Sequence, residues 1–294
     1  MSVHIFGNIL TGYGCAANNR GESEGNITTL QKLLWNGNVH TTVSSEAIRW
    51  ALRYFWQTNG LEVNRRWDDD RDDHVWQDEQ WAGWIEEAGK TFIDDDLLGY
   101  MKAEGAKKEG GKGSTSKRRG VLEMSRAIST TPYAGDISFN AKSGEKGRTS
   151  LYGTEIHATR YQYGFSMTPE RLREKNRCLH ALEAICGLGE VAGNHSRYLY
   201  DFSPDSIVLR ITDDPAPRIL YCFQETDRIL SLTDLVRKIQ AEDIKKEELF
   251  IGGPAAEFPE IKALNIEHCY PGIKKTVHEC REVIVDRLNL KDKE

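Results

Sequence analysis

The chain has 294 residues, 39% of them hydrophobic, and a formal net charge of −6. This suits one large domain or a core domain with sizeable insertions. No apolar run approaches the roughly 18–20 residues of a membrane-spanning helix, and the overall acidity argues against a general nucleic-acid binder. The charge is uneven, however. Asp68 to Glu79 carries seven acids against Arg71, and Lys102 to Arg119 carries seven bases against Glu104 and Glu109. Local distribution therefore decides more than the total.

The start, Met1 to Gly7, has no basic segment followed by an apolar one, so no signal peptide is expected and the location is expected to be cytoplasmic. The six cysteines are scattered, with no C-x-x-C pair, and read as free thiols. His268, Cys269, His278 and Cys280 cluster in sequence, but Val277, Cys280 and Ile284 share one apolar helical stripe that takes Cys280 into the core. The spacing fits no standard zinc pattern. Neither a metal nor a cofactor is expected.

Residues 2–11 read as a first strand, and 12–26, rich in Gly, Asn and Ala, as a long loop able to present N–H groups to an anion. Thr42 to Arg53 reads as a turn launching a helix. Ser44 or Ser45 caps it, and Glu46 lies in the first turn, where the helix dipole favours an acid. Ile48, Leu52 and Phe55 form the expected buried stripe. Arg49, Arg53 and Trp56 repeat that spacing one residue on, so both guanidinium groups share a flank. Serines at a helix start followed by aligned arginines suit successive phosphates of a polynucleotide. An ordinary amphipathic surface helix explains the same spacing.

An insertion is expected over 58–119. Trp81, Trp84, Ile85 and Ala88 suggest a small helix, and the acids from Asp68 to Asp73 a solvated loop. Residues 105–119 have no apolar residue beyond Ala106 and read as a mobile basic arm carrying Lys107, Lys108, Lys112, Lys117, Arg118 and Arg119. Residues 120–128 read as a second strand and 151–166 as a third, with Tyr161, Tyr163 and Phe165 on one face, packing against a helix. A polar hairpin lies between them, with arms at 136–140 and 148–152 and its tip at 143–147. Thr168-Pro169-Glu170 predicts a helix start, with Leu172, Leu179, Leu182, Ile185 and Cys186 on its apolar side and Gly187 and Gly189 at its end. Then follow strands at 206–212 and 218–224, a helix at 233–240, a strand at 248–251 and a terminal helix at 274–290. Without the insertions the order is strand, helix, strand, strand, helix, strand, the ferredoxin-like, RNA-recognition-module pattern of an α+β protein.

The run Val43-Ser44-Ser45-Glu46-Ala47-Ile48-Arg49-Trp50-Ala51-Leu52-Arg53 resembles the I-S-S-Q-x-[IL]-[KR]-x-x-x-R signature of CRISPR Cascade backbone subunits, the Cas-seven proteins of the RAMP superfamily. Asn18 to Asn26 is similar to the DevR branch found in type I-B systems. Glu46 replaces the glutamine often found there. A palm is expected over 1–57 and 120–294, with a finger-like insertion over 58–119; the resemblance, which is absent over 58–119 and after about residue 225, implies a protruding thumb hairpin over 130–153. It implies guide-RNA contacts at Asn18, Asn19, Arg20, Ser44, Ser45, Arg49, Arg53 and Arg126, and from a glycine-containing loop at Gly193, Asn194, His195 and Arg197. Thumb contacts are expected at Asn140, Lys142, Lys146 and Arg148, and target-DNA contacts from the basic arm.

The implied protein is a non-catalytic subunit that binds crRNA and polymerises along it with further copies and other Cascade subunits. Base pairing supplies its specificity. Type III relatives carry a cleaving aspartate in a comparable N-terminal loop, but no Asp occurs between Met1 and Trp67. A stand-alone RAMP ribonuclease would need an acid–base pair, for which only His157 and His195 lie in segments expected near RNA. A protein-only scaffold leaves the aligned arginines without a use.

Overall fold

The computed structural model describes residues 2–17, 23–85, 89–104, 114–142, 150–192 and 199–290. It is an α+β fold around one large sheet. Strand His4–Thr11 runs through the middle, antiparallel to Tyr161–Met167 on one side and Pro204–Thr212 on the other. Beyond Tyr161–Met167 lie Glu123–Met124 and Ala127–Ser129, then Asn38–Val43 and Lys32–Trp35. Beyond Pro204–Thr212 lie Leu249–Gly252 and, parallel to it, His268–Tyr270.

Period-two alternation divides the first strand between two cores. Ile5 and Ile9 face one side with Tyr161, Tyr163, Phe165 and Met167. Against that face pack helices α1 (Ser45–Thr58), α4 (Arg177–Gly187) and α7 (Ile273–Leu288), through Ile48, Leu52, Leu182, Ile185 and Ile284. Phe6 and Leu10 face the other side with Val208, Leu249 and Ile251, under α5 (Thr233–Gln240) and α6 (Pro259–Lys262). Gly7 is required where it stands: a Cβ there would lie 2.1 Å from the Phe165 ring. The segment between α1 and residue 120 holds a hairpin (Arg65–Asp68 with Asp73–Trp76), short helices α2 (Ala82–Ile85) and α3 (Ile93–Leu98), and the strand pair Gly99–Glu104 with Ser114–Arg119.

Several expectations are corrected. Trp56 is buried and donates from Nε1 to the His180 carbonyl at 3.2 Å, because that flank of α1 packs on α4, while Phe55 sits part-buried against Gly187. The helix expected from Pro169 is only a 3-10 turn, Pro169–Arg171, and α4 begins at Arg177. The N–H groups of Arg173 and Glu174 turn aside to the buried carboxylate of Asp96. Residues 218–223 form no strand. Left-handed Arg218 and Tyr221 fold them across the sheet, where Asn8 Oδ1 and Gln162 Oε1 accept the N–H groups of Tyr221 and Phe223. Trp81 is buried, but Ile85 is exposed and α2 is a single turn. Residues 114–119 of the expected mobile arm are a strand, while 105–113 lie outside the described residues.

Candidate nucleic-acid interface

The start of α1 meets the expected geometry. Ser44 is extended (φ −69°, ψ 150°) and its Oγ accepts from Ala47 N at 3.2 Å. Glu46 in the first turn is held below the usual carboxylate range, first by its backbone hydrogen bond, then by the Ser45 hydroxyl, Arg126 and Arg49. Two clefts flank this start.

The first, about 570 Å³, is walled by residues 29–33, Thr42 and Arg126. Arg126 Nη1 donates to Thr42 Oγ1 at 3.2 Å and Gln31 Oε1 at 3.3 Å, which fixes the guanidinium beside the helix start. The opposite wall is tied to the hairpin, because Glu155 Oε2 accepts from Leu30 N (2.7 Å) and Lys32 Nζ (2.5 Å).

The second cleft, about 490 Å³, lies between α1 and the insertion, with Arg49 and Arg53 on one wall and Arg65, Trp76, Tyr100 and Arg118 among those opposite. The two aligned arginines differ. Arg53 Nε donates to the buried Asp94 at 3.0 Å. Arg49 is half-buried, donates to the Leu98 carbonyl and, among the described residues, has no carboxylate in ion-pair contact. Burial and the neighbouring Arg53 charge hold its pKa below the usual arginine value. The Glu46 charge in the same cleft offsets this in part but makes no ion-pair contact, so the partly desolvated guanidinium keeps donors for an anion.

The floor of this cleft was not legible in the sequence. Asp94, Asp95 and Asp96, consecutive on α3, are all buried. Asp94 accepts from Arg53 and from the N–H groups of Asn64 and Arg65. Asp95 accepts from Asn64 Nδ2 at 2.8 Å; burial and the Asp94 charge push its pKa up to about 7, against the hydrogen bond from Asn64. Asp96 accepts from Arg118 Nη2 (2.7 Å) and Arg177 Nη1 (2.8 Å). The readable signal was the apolar flank of Ile93, Leu97 and Leu98 around the acids.

Among the expected basic-arm residues, Arg118 is engaged with Asp96 and lies 4.2 Å from the Trp84 ring centroid, and Arg119 pairs with Glu123. Lys117 is exposed. Lys107, Lys108 and Lys112 lie outside the described residues, as do Asn18, Asn19, Arg20, Gly193, Asn194, His195, Arg197, Lys146 and Arg148. The hairpin arms are Ile137–Lys142 and Ser150–Glu155, and Lys142 closes the first. Ser150–Glu155 also pairs with Ile27–Thr28 in a second sheet. Asn140 Nδ2 reaches Thr154 Oγ1 at 3.5 Å. Contrary to a wholly polar hairpin, one face carries Ile137, Phe139 and Leu151, all exposed, Phe139 by 82%.

His157 is buried, with Nδ1 and Thr41 Oγ1 hydrogen-bonded at 2.8 Å, and burial lowers its pKa to about 4. His268 stacks on Phe250 with ring centroids 4.3 Å apart, and Cys280 is in the core. Among the described residues no group of three or more His, Cys, Asp and Glu is placed to hold a metal, and no helix is long and apolar enough to cross a membrane.

The family model of the CRISPR-associated negative auto-regulator DevR/Csa2 matches residues 13–212. A protein of Myxococcus xanthus (strain DK1622) described as CRISPR-associated protein Cas7/Cst2/DevR is 51% identical over 269 residues, covering 87% of this chain and 88% of that protein. A chain of a CRISPR RNA-guided surveillance complex, pre-nicking, shares the fold with TM-score 0.57 and 11% identity, over 96% of this chain and 99% of that one. A chain from another CRISPR RNA-guided surveillance complex aligns with TM-score 0.49 and 15% identity, over 85% and 87%.

Proposed function

This chain belongs to the CRISPR-associated DevR/Csa2 family, and from that premise we propose that it is a non-catalytic subunit binding guide RNA, polymerising along it, and presenting its bases to target DNA beside other subunits of a surveillance complex. The single observation that carries the RNA reading is Arg49: a half-buried guanidinium with no carboxylate in ion-pair contact among the described residues, opening into a cleft beside a serine-capped helix start. The protein grips phosphate there, with Arg126 on the other side of Glu46 supplying a second cation. Such contacts position a strand without reading its sequence.

The central strands support the ferredoxin-like reading of the palm. Pro204–Thr212, His4–Thr11, Tyr161–Met167 and Ala127–Ser129 lie in that order, with α1 and α4 on one face, as an RNA-recognition module arranges its core. The hairpin over 130–153 acts as a thumb on the next copy. Its exposed Ile137, Phe139 and Leu151 supply an apolar face for that copy to cover, and Asn140 lies on the polar face, left for RNA. The neutral, buried state of His157 supports a non-catalytic role, since a group with pKa near 4 is a weak base and scarcely an acid at neutral pH.

The test is binding itself. The full chain should shift repeat-derived RNA on a gel and form a ladder of multimers whose length follows the RNA, as mass photometry reports. Replacing Ile137 to Thr149 with a two-residue turn should leave the monomer folded and abolish the ladder. A chain that neither carries RNA after purification nor shifts it would overturn the RNA reading. A shortened variant that still forms the ladder would overturn the thumb.

A further inference from the structure

The insertion-side wall of the α1 cleft has chemistry that phosphate binding alone does not use. Trp76 is 39% exposed there. It meets Trp81 edge-on with centroids 5.5 Å apart, and Trp81 in turn stacks on Tyr100 at 4.5 Å and 14°. The Arg65 guanidinium lies 5.7 Å from the Trp76 ring. Among the described residues it makes no carboxylate ion pair, whereas Arg53 and Arg118 are engaged by Asp94 and Asp96. Partial burial, and then the Arg53 charge, lower its pKa, against the charges of Asp73 and Asp94. An aromatic ring backed by a rigid stack, with a guanidinium beside it that is in no ion-pair contact among the described residues, is what a nucleobase and its phosphate require. A cleft of about 490 Å³ is within the size range of small-ligand sites.

We propose that this cleft holds one unpaired nucleotide of a single strand, its base stacked on Trp76 and its phosphate shared between Arg65 on the insertion and Arg49 on α1. The inference rests on the RNA reading above and adds the insertion as a second wall of the site. Because a base face rather than a base edge is met, the site accepts any of the four bases. The strand is the guide itself or the target DNA drawn along it, and both offer the same stacking face and phosphate.

The experiment uses the full chain with two probes: a labelled single-stranded RNA alone, and the RNA-loaded protein challenged with complementary single-stranded DNA. Trp76→Ala should weaken binding of one probe by roughly 5- to 100-fold without changing its salt slope, since stacking carries no charge. Trp76→Phe should restore most of the loss, which a merely structural role in packing on Trp81 would not separate from melting temperature. Arg65→Ala should lower the slope of log affinity against log salt by about 0.7 for the same probe. An effect on RNA alone assigns the guide nucleotide, and an effect confined to DNA capture assigns the target nucleotide. If wild type binds RNA and Arg49→Ala weakens it, yet Trp76→Ala and Arg65→Ala change neither probe, this inference fails and the RNA reading stands. If wild type binds no RNA, the RNA reading itself has failed.

Discussion

Two acidic stretches of the insertion have similar composition and opposite fates. Asp68 to Asp73 forms the turn of a hairpin: Asp68 Oδ1 accepts from Asp70 N and Arg71 N, Trp67 Nε1 donates to Asp69, and the acids stay at or near the surface. Asp94 to Asp96 is shorter, yet all three carboxylates are buried and each holds a different part of the chain. Asp94 holds α1, Asp95 the Asn64 loop, and Asp96 both the strand Ser114–Arg119 and α4. The difference comes from the flanks. Ile93, Leu97 and Leu98 drag α3 into the core, and acids taken out of water must find donors. Acid content alone therefore says little; the apolar residues beside it decide whether it solvates a turn or staples the segment between α1 and residue 120 to α1 and α4.

Substitutions break this contrast in graded fashion. Asp96→Ala should cost most, about 3–5 kcal/mol by chemical denaturation, because it leaves Arg177, only 7% exposed, and Arg118 without their shared counter-ion. Asp95→Asn should reveal a pH dependence. The folded pKa of Asp95 is raised from 3.8 to about 7, so its protonated form favours folding. The contribution of this group to stability should be fullest below about pH 4 and be lost as pH rises to about 7, by roughly 4 kcal/mol at most, against the opposite trend of carboxylates with lowered pKa such as Glu46. The variant should lose that slope and gain most, relative to wild type, above pH 7. Urea midpoints measured across pH 4–8 check this, and parallel slopes would show that Asp95 is not the titrating group. Asp69→Asn and Asp70→Asn, in the solvated turn, should move stability by less than about 0.5 kcal/mol. A larger loss there would erase the distinction between the two stretches.

Much of the frame was legible. The first strand, the Ser44-capped helix, the alternating Tyr161, Tyr163 and Phe165, and the helix Thr233–Gln240 follow from period and capping alone. What escaped depends on partners far away in the chain. Strand Asn38–Val43 buries His40, Thr41 and Thr42, which read as polar until Ser129 and His157 supply their hydrogen bonds. The basic stretch before Gly120 read as a solvated arm because nothing local shows that Arg118 reaches Asp96. The spacing of Arg49 and Arg53 put both on one flank of α1, and both line one cleft, but it could not show that Asp94 pairs directly with Arg53 while no carboxylate among the described residues is in ion-pair contact with Arg49. Replacing both together would mix a structural loss with a binding loss, so they must be separated.

The most direct test is therefore the salt dependence of RNA affinity for Arg49→Ala alone, in the full chain, against wild type. Arg49 makes no carboxylate ion pair among the described residues but donates to the Leu98 carbonyl, so the variant should stay folded with a loss of about 1–2 kcal/mol at most. It should bind unrelated single-stranded RNAs more weakly by a common factor, and its slope of log affinity against log salt should be shallower by about 0.7, the signature of one lost phosphate contact. Unchanged affinity and slope would contradict the account, and the signature helix would then be a surface helix with no hold on RNA.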